Sequence, residues 1–210
     1  MNWLDLVEQT QHCQRNWDHN RTVDPATVDW LLDIGYTMPT KQNLDTVQIV
    51  TFRDRKQIEH IARSAVDSRL TWKKDLIQNP QMLAPVVFLY FKKMDQEETQ
   101  RSLHERSEYR GGTTHIEIGL VAGAMALAAN SVGMKTGFCR CFGVIEDAEA
   151  DNPVVQLLKT QRLQNLGVDP RQLQLGLGVG YPLQDRPSHI DNNKGFHLQY
   201  IKNPATKIII

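Results

Sequence analysis

The sequence has no excess of charge of either sign. Its 210 residues include 24 Lys and Arg against 24 Asp and Glu, so the formal net charge is zero. A neutral chain has no long-range field that would attract nucleic acid or an anionic membrane surface. We therefore expect neither as a partner, and any anionic ligand must be held by local cations.

Cysteine is scarce as well. The chain has three, Cys13, Cys139 and Cys141, and so small an odd number does not make a disulfide framework. The Cys-Arg-Cys spacing fits no common zinc pattern, and no further Cys or His pair stands nearby to complete one. We predict no metal site and expect ordinary reduced thiols, as in a cytosolic protein.

Long hydrophobic runs and several familiar catalytic patterns are also missing. The N-terminus has no basic region followed by an apolar stretch, and the most apolar helical stretch, Ile118 to Ala129, is too short to cross a bilayer. A soluble, cytoplasmic protein is expected. No Ser-His-Asp or paired-carboxylate group is evident, and Gly178-Val-Gly180 lacks the third glycine and the following helix of a dinucleotide fingerprint.

What is present is the composition of a globular domain, with 40% hydrophobic and 23% charged residues. We expect one domain over 1–210. Residue periodicity and capping signals predict five helices, over Asn2–Gln14, Asp24–Gly35, Arg55–Ser68, Thr114–Val132 and Pro153–Gln161. In the first helix, Trp3, Leu4, Leu6 and Val7 are expected to point inward. Strands are predicted over Thr46–Phe52, Ala84–Phe91, Thr136–Val144 and Leu173–Tyr181. Their partial alternation predicts an α+β sandwich with one mostly antiparallel sheet and helices on its faces.

Two segments indicate contacts beyond this sandwich. The second half of the Thr114–Val132 helix is apolar all round, with Gly119 and Gly123 four residues apart. Such a helix is buried, either within the domain or against a second subunit. The apolar end Ala205–Ile210 is expected to add to a sheet, that of a partner subunit being one possibility. The charged stretch Lys92–Gly112 is either a solvated helix and loop, which we favour, or a lid.

Four motifs gain meaning from their order. They are Gln14-Arg15-Asn16, then the loop Met38-Pro-Thr-Lys-Gln-Asn43, then Gly133-Met-Lys-Thr-Gly-Phe-Cys-Arg-Cys-Phe-Gly143, and finally Leu175-Gly-Leu-Gly-Val-Gly-Tyr-Pro182. This order resembles the nitroreductase family, which carries an Arg-Arg-Ser type triplet, an Ala-Pro-Ser-Ser-x-Asn-x-Gln-Pro-Trp loop, a small-residue helix leading into a strand, and a late Leu-Gly-Tyr-Pro strand. The resemblance covers roughly residues 10 to 185.

The resemblance implies a three-layer sandwich that binds FMN non-covalently at the interface of a homodimer. It also implies hydride transfer from NAD(P)H, with nitroaromatics, quinones and similar conjugated compounds as acceptors in a ping-pong reaction. The flavin carries this chemistry, so no side chain is assigned as catalytic.

The same resemblance assigns the cofactor-binding residues. The triplet would hold the phosphate and ribityl chain, with Arg15 as the permanent cation. The loop would lie along the ring and the ribityl chain, and the backbone amides after the third strand would face the ring. A basic residue near the C-terminal end, Lys194 or the competing choice Arg186, would contact the phosphate. The residues so assigned are Gln14, Arg15, Asn16, Thr40, Lys41, Gln42, Asn43, Arg140, Cys141 and Lys194. Taken singly, Arg15, Lys41 and Asn43 are more typical of ordinary surface and turn positions.

The departures from the family pattern leave alternatives open. Gln14 replaces the first Arg, Asp18 replaces a basic residue, and Asp45-Thr-Val47 replaces Gln-Pro-Trp. Loss of one cation should weaken phosphate binding by about 1–3 kcal/mol. A flavin-binding carrier or accessory protein without NAD(P)H turnover, or a dehalogenase-like relative with a lid, are the rival interpretations.

Overall fold

The structure is a computed structural model that describes residues 2–10, 13–40, 45–65, 77, 79–93, 107–142, 153–161 and 167–183. Within these residues lie five α-helices and four strands, joined in part by two short 3-10 turns. In chain order they are α1 (Trp3–Thr10), α2 (Pro25–Thr37), β1 (Val47–Phe52), α3 (Arg55–Ser64), the first turn (Pro80–Leu83), β2 (Val86–Lys92), α4 (Ser107–Ser131), β3 (Lys135–Cys139), α5 (Pro153–Thr160), the second turn (Pro170–Gln172) and β4 (Leu173–Gly180).

The four strands form one antiparallel sheet in the order β1-β2-β4-β3. Phe52 pairs with Val87, Val86 with Val179, and Lys135 with Gly180, so these residues mark one end of the sheet. β1 and β3 are its two edges.

Helices cover both faces of the sheet. Alternate residues of β2 point to opposite faces, so Phe88 and Tyr90 belong to one core and Val87 and Leu89 to the other. The first core packs under α2 and α4, and the second packs under α3, α5 and the first 3-10 turn. This arrangement confirms the predicted three-layer sandwich with an antiparallel central sheet.

α2 begins and packs as its sequence predicts. The Asp24 carboxylate accepts a hydrogen bond from the Ala26 amide at 3.1 Å, with Pro25 at the first helical position. Val28 and Leu31 are buried. An ideal Cβ on Gly35 would lie 2.9 Å from the sulfur of Met125, so the glycine allows α2 to cross α4 closely.

α4 is longer and less enclosed than predicted. It begins at Ser107, within the charged stretch that the sequence favoured as a helix and loop. It ends as predicted, before Gly133, whose φ of 80° suits glycine. Its second half, expected to be buried within the domain or against a second subunit, is largely buried or half-buried in the single chain, although Leu120 is 45% exposed. Ile116, in the first half, is 64% exposed.

The N-terminal helix departs most from its prediction. α1 ends at Thr10, and Cys13 and Gln14 are not helical. Trp3 and Leu4, expected inward, are 67% and 64% exposed. The cause is long-range: the Gln14 amide donates to the Thr136 carbonyl at 2.8 Å, so this part of the chain follows β3 instead of continuing the helix.

The glycines of β4 have a packing role. Gly176, Gly178 and Gly180 face the first 3-10 turn and its flanks, and an ideal Cβ on Gly178 would lie 2.1 Å from the Gln81 carbonyl oxygen. Because these positions admit no side chain, the turn can cross directly over the strand. This explains a Gly-x-Gly-x-Gly pattern that is not a phosphate loop.

The other predicted elements differ mainly at their ends. β3 ends at Cys139 rather than Val144, and α3 ends at Ser64 rather than Ser68. No described helix is long and apolar enough to cross a membrane. The Ala205–Ile210 segment and most of the charged stretch, 94–106, lie outside the described residues.

Candidate functional site

Residues 13 to 18 bring three of the four sequence motifs together. The Gln14 amide bonds to Thr136 of β3, Trp17 forms a bridge with Pro182, and the Asp18 amide donates to the Tyr181 carbonyl at 2.9 Å. The Leu183 amide in turn donates to the Asn16 carbonyl at 3.2 Å. The triplet Gln14–Asn16 therefore lies between β3 and the chain that leaves β4.

Gly137 allows this segment to approach the sheet. An ideal Cβ on Gly137 would lie 2.5 Å from the Gln14 carbonyl oxygen and 2.6 Å from the Gln81 Cβ. Both are far shorter than any real contact, and one of them is to backbone. The position therefore requires glycine if Gln14 and Gln81 are to keep their places.

Arg15 is a half-buried cation with an unpaired hydrogen-bond donor. Its Nε is buried and has no hydrogen-bond partner among the described residues. Its guanidinium hydrogen-bonds to the Cys13 thiol, and none of the ion pairs seen in the described part of the chain includes it. A buried donor on a charged group without an acceptor is costly, so it indicates that a further acceptor belongs here.

Gln81 is a second residue of this kind, and sequence reasoning missed it. The side chain is 4% exposed. Its Nε2 donates to Asn79 Oδ1 at 3.0 Å and to the Phe138 carbonyl at 3.3 Å, while its Oε1 has no partner within the described residues. Because Cys13 Sγ also contacts the Phe138 carbonyl, at 3.8 Å, Gln81 and Arg15 belong to one polar cluster.

The two neighbours of Arg15 are buried. Gln14 is 1% exposed and its side-chain amide donates to the Asn16 carbonyl. Gln14 therefore forms a hydrogen bond within the triplet, at the position where the family pattern has a cation. Asn16 is 9% exposed, and its carbonyl receives the Leu183 amide.

Arg140 and Cys141 follow the end of β3 directly. Arg140 is exposed and Cys141 is half-buried. The Cys141 amide donates to Cys139 Sγ at 3.4 Å. Both assigned residues thus lie at the same edge of the sheet as the triplet.

Thr40 lies at the opposite edge of the sheet. It lines an open groove between the end of α2, α4 and β1, together with Tyr36, Met38, Asp45 and Thr46. The buried Glu117 of α4 accepts a hydrogen bond from the Thr46 hydroxyl. Three strand spacings of about 4.8 Å separate the edges, or roughly 14 Å, so one chain does not unite Thr40 with Arg15.

The remaining assigned residues, Lys41, Gln42, Asn43 and Lys194, lie outside the described residues, as does Arg186. Among the residues that the structure does describe, no group of three or more His, Cys, Asp or Glu side chains could hold a metal ion.

Several solved structures share this fold, among them nitroreductases. A nitroreductase family protein from Streptococcus pneumoniae TIGR4 has a TM-score of 0.62 at 18% identity, covering 90% of this chain and 94% of that one. A nitroreductase with bound FMN from Bacteroides fragilis NCTC 9343 gives 0.62 at 15% identity, with 92% and 97% covered. A protein of Staphylococcus epidermidis ATCC 12228, provisionally assigned as an NAD(P)H:FMN oxidoreductase, has a TM-score of 0.61 at 12% identity, covering 90% of this chain and 91% of that one.

At these identities the likeness establishes the fold. No curated protein matches the sequence significantly. The model of the nitroreductase family, however, matches residues 9–181, which cover most of the chain and all four motifs except the final Pro182. The match supports a flavin oxidoreductase. This chain belongs to the nitroreductase family.

Proposed function

We propose that this protein is an FMN-dependent oxidoreductase that takes hydride from NAD(P)H and passes it to nitroaromatic, quinone or similar conjugated acceptors in a ping-pong cycle. The observation that carries the proposal is the buried, unpartnered Nε of Arg15 in the triplet that β3 and the chain after β4 enclose. When bound, the flavin supplies a ring that accepts and releases hydride.

The residues around Arg15 fit an anionic cofactor. Arg15 offers a fixed cation with a free donor, which suits a phosphate oxygen. Asn16 and the backbone beside it would hold the adjoining polar chain. The Arg140 amide, and the Cys141 amide on release from Cys139 Sγ, would face the ring. Gln81 adds a buried acceptor that suits a ring or ribityl N–H or O–H.

The proposed site needs two copies of the chain. Thr40 and the loop that follows it belong to the β1 edge, whereas Arg15 belongs to the β3 edge. A homodimer in which the second copy brings its Thr40 loop to Arg15 would complete the site. The open face of α4 supports this assembly: Ile116 and Leu120 are exposed, and Gly119 and Gly123 have open space around them.

An absorbance spectrum tests the proposal directly. Purified protein should carry or acquire the flavin bands on addition of FMN, and these should bleach under anaerobic NADH or NADPH. Protein that stays colourless after incubation with FMN contradicts the proposal.

Replacing Arg15 with alanine tests the cation. We expect the Kd for FMN to rise about tenfold or more, since a hydrogen bond to a charged group contributes about 1.5–3 kcal/mol and each 1.4 kcal/mol is a factor of ten. Arg63→Ala, at an exposed position of α3, is the matched control and should bind FMN as the unmodified protein does. Equal affinity in both variants, measured by flavin fluorescence titration, would exclude Arg15 as a ligand.

One observation favours a second function, a flavin-binding protein without turnover. Gln14 stands at a cation position of the family, and its amide is turned inward to the Asn16 carbonyl. With less positive charge near the phosphate, the site could hold flavin without supporting reduction by pyridine nucleotides. Bound FMN that neither NADH nor NADPH reduces would favour this function over the enzyme.

A further inference from the structure

All three cysteines of the chain meet at one place, the end of β3. Cys139 is the last residue of the strand and is buried, and Cys141 lies two residues further and is half-buried. Cys13 stands 126 positions before Cys139 in the sequence. It lies beside the strand because its segment runs along β3, and its Sγ is 3.8 Å from the Phe138 carbonyl oxygen. No described metal-binding group explains this convergence.

Cys139 and Cys141 are in direct contact. The Cys141 amide donates to Cys139 Sγ at 3.4 Å, and the two thiols share a side-chain hydrogen bond. In an extended strand, residues i and i+2 are separated by about 6.4–6.8 Å, the upper limit for a disulfide. β3 ends at Cys139, so the strand spacing does not fix the position of Cys141, and its amide contacts Cys139 Sγ.

The three thiols differ in their surroundings. Burial raises the pKa of the Cys13 thiol, although the Arg15 guanidinium and its hydrogen bond act in the opposite direction. The hydrogen bond with Cys141, and then burial, raise the pKa of the Cys139 thiol strongly. The half-buried Cys141 is therefore the thiol of the pair that a small oxidant reaches first. The buried Cys139 is the second thiol, which can react with the oxidised Cys141.

We propose that Cys139 and Cys141 form a reversible disulfide when the protein meets a hydroperoxide. The Cys141 sulfur attacks the peroxide, the O–O bond breaks, and a sulfenic acid and one water are formed from H₂O₂. The Cys139 sulfur then displaces that hydroxyl, giving the S–S bond and a second water, so the two thiols lose two electrons and two protons. An added dithiol reverses the reaction. The small ring closed by two residues two apart suits a labile bond rather than a structural one.

This inference does not depend on the proposed function. It concerns thiol chemistry of the polypeptide and can be read in protein with or without flavin. The bond would join the residues on either side of Arg140, at the edge of the sheet that Gln14 also contacts, so it would form within the candidate site.

The chain offers a convenient test because trypsin cleaves after Arg140. Its peptides 136–140 and 141–159 then carry one cysteine each, and Cys13 lies in peptide 1–15. After treatment of the folded protein with H₂O₂ and digestion without reduction, we expect 136–140 linked to 141–159. This pair should be at least about tenfold more abundant than any pair that contains Cys13, and a dithiol should remove it. A nonreducing gel should show the monomer band.

Variants sharpen the test. Cys13→Ser should form the linked peptides as the unmodified protein does. Cys139→Ser lacks the second thiol, so Cys141 should remain as a sulfenic acid that dimedone labels. A dominant pair containing Cys13, oxidation of Cys141 to its sulfonic acid without a linked pair in the unmodified protein, or an equal yield in guanidinium chloride would each overturn the proposal.

Discussion

At the scale of single residues, Gly137 sets how closely the Arg15 segment approaches the sheet. Its missing side chain leaves room for the Gln14 carbonyl and for Gln81 at the same time. Arg15 owes its half-buried position to this approach, since the segment hydrogen-bonds to β3 on one side and to the chain after β4 on the other.

Gly137→Ala should therefore destabilise the fold. The added methyl would lie against a backbone oxygen that cannot rotate away, and overpacking of this kind costs about 1–3 kcal/mol. The measurement is chemical denaturation followed by circular dichroism, with the far-UV spectrum of the native state as a check on folding. An unchanged free energy of unfolding would show that the segment shifts without cost.

Gln81 could not have been identified from the sequence. It stands in an unremarkable Asn-Pro-Gln stretch, and its role follows from burial beside Phe138, which is 57 residues away. Arg15 could be identified only because its triplet resembles that of a family, since a single Arg before a polar stretch is typical of any surface.

At the scale of elements, α2 shows how far local signals reach. Asp24 caps the helix, Pro25 starts it, and Val28 and Leu31 repeat on its buried side, so sequence alone located it. Each of these signals acts within a few residues and needs no knowledge of the rest of the fold.

Asp24→Ala should lower stability by about 1 kcal/mol, because the Ala26 amide loses its acceptor. Asp33→Ala is the matched control. It removes an exposed carboxylate near the other end of α2, where the helix dipole disfavours negative charge, and should leave stability unchanged or slightly higher. Thermal unfolding of the two variants side by side checks the contrast, and equal losses would contradict the role of the cap.

Elements whose limits depend on distant partners were predicted less well. α1 was extended too far because Cys13 and Gln14 pair with β3, a contact that no local pattern signals. α4 begins inside a charged stretch that contains two consecutive glycines, Gly111 and Gly112. Glycine has a weak helix propensity, yet the helix runs through both positions.

At the scale of the whole molecule, the candidate residues divide between two edges of one sheet. The sequence predicted the sandwich and the triplet, yet it could not show that Thr40 and Arg15 lie apart within a chain, because strand order is set by packing. In the proposed homodimer a second copy would bridge the separation, with the exposed apolar residues of α4 as its contact surface.

Ile116→Glu should break this assembly. A carboxylate on the open face of α4 would have to be buried unpaired between two copies, which is strongly unfavourable. We expect light scattering to report twice the 24.0 kDa chain mass for the unmodified protein and the single mass for the variant. His60→Glu adds the same charge at an exposed position of α3, on the opposite face of the sheet. This control variant should remain dimeric. A monomeric unmodified protein with FMN bound would contradict the two-copy site.

The contacts of residues 16 to 18 with 181 to 183 also bear on the order of events during synthesis. The triplet leaves the ribosome early, but the strand end that holds it is among the last described parts to emerge. We therefore expect cofactor capture to require emergence of the chain through Leu183, so that nascent chains halted before Pro182 should bind no flavin.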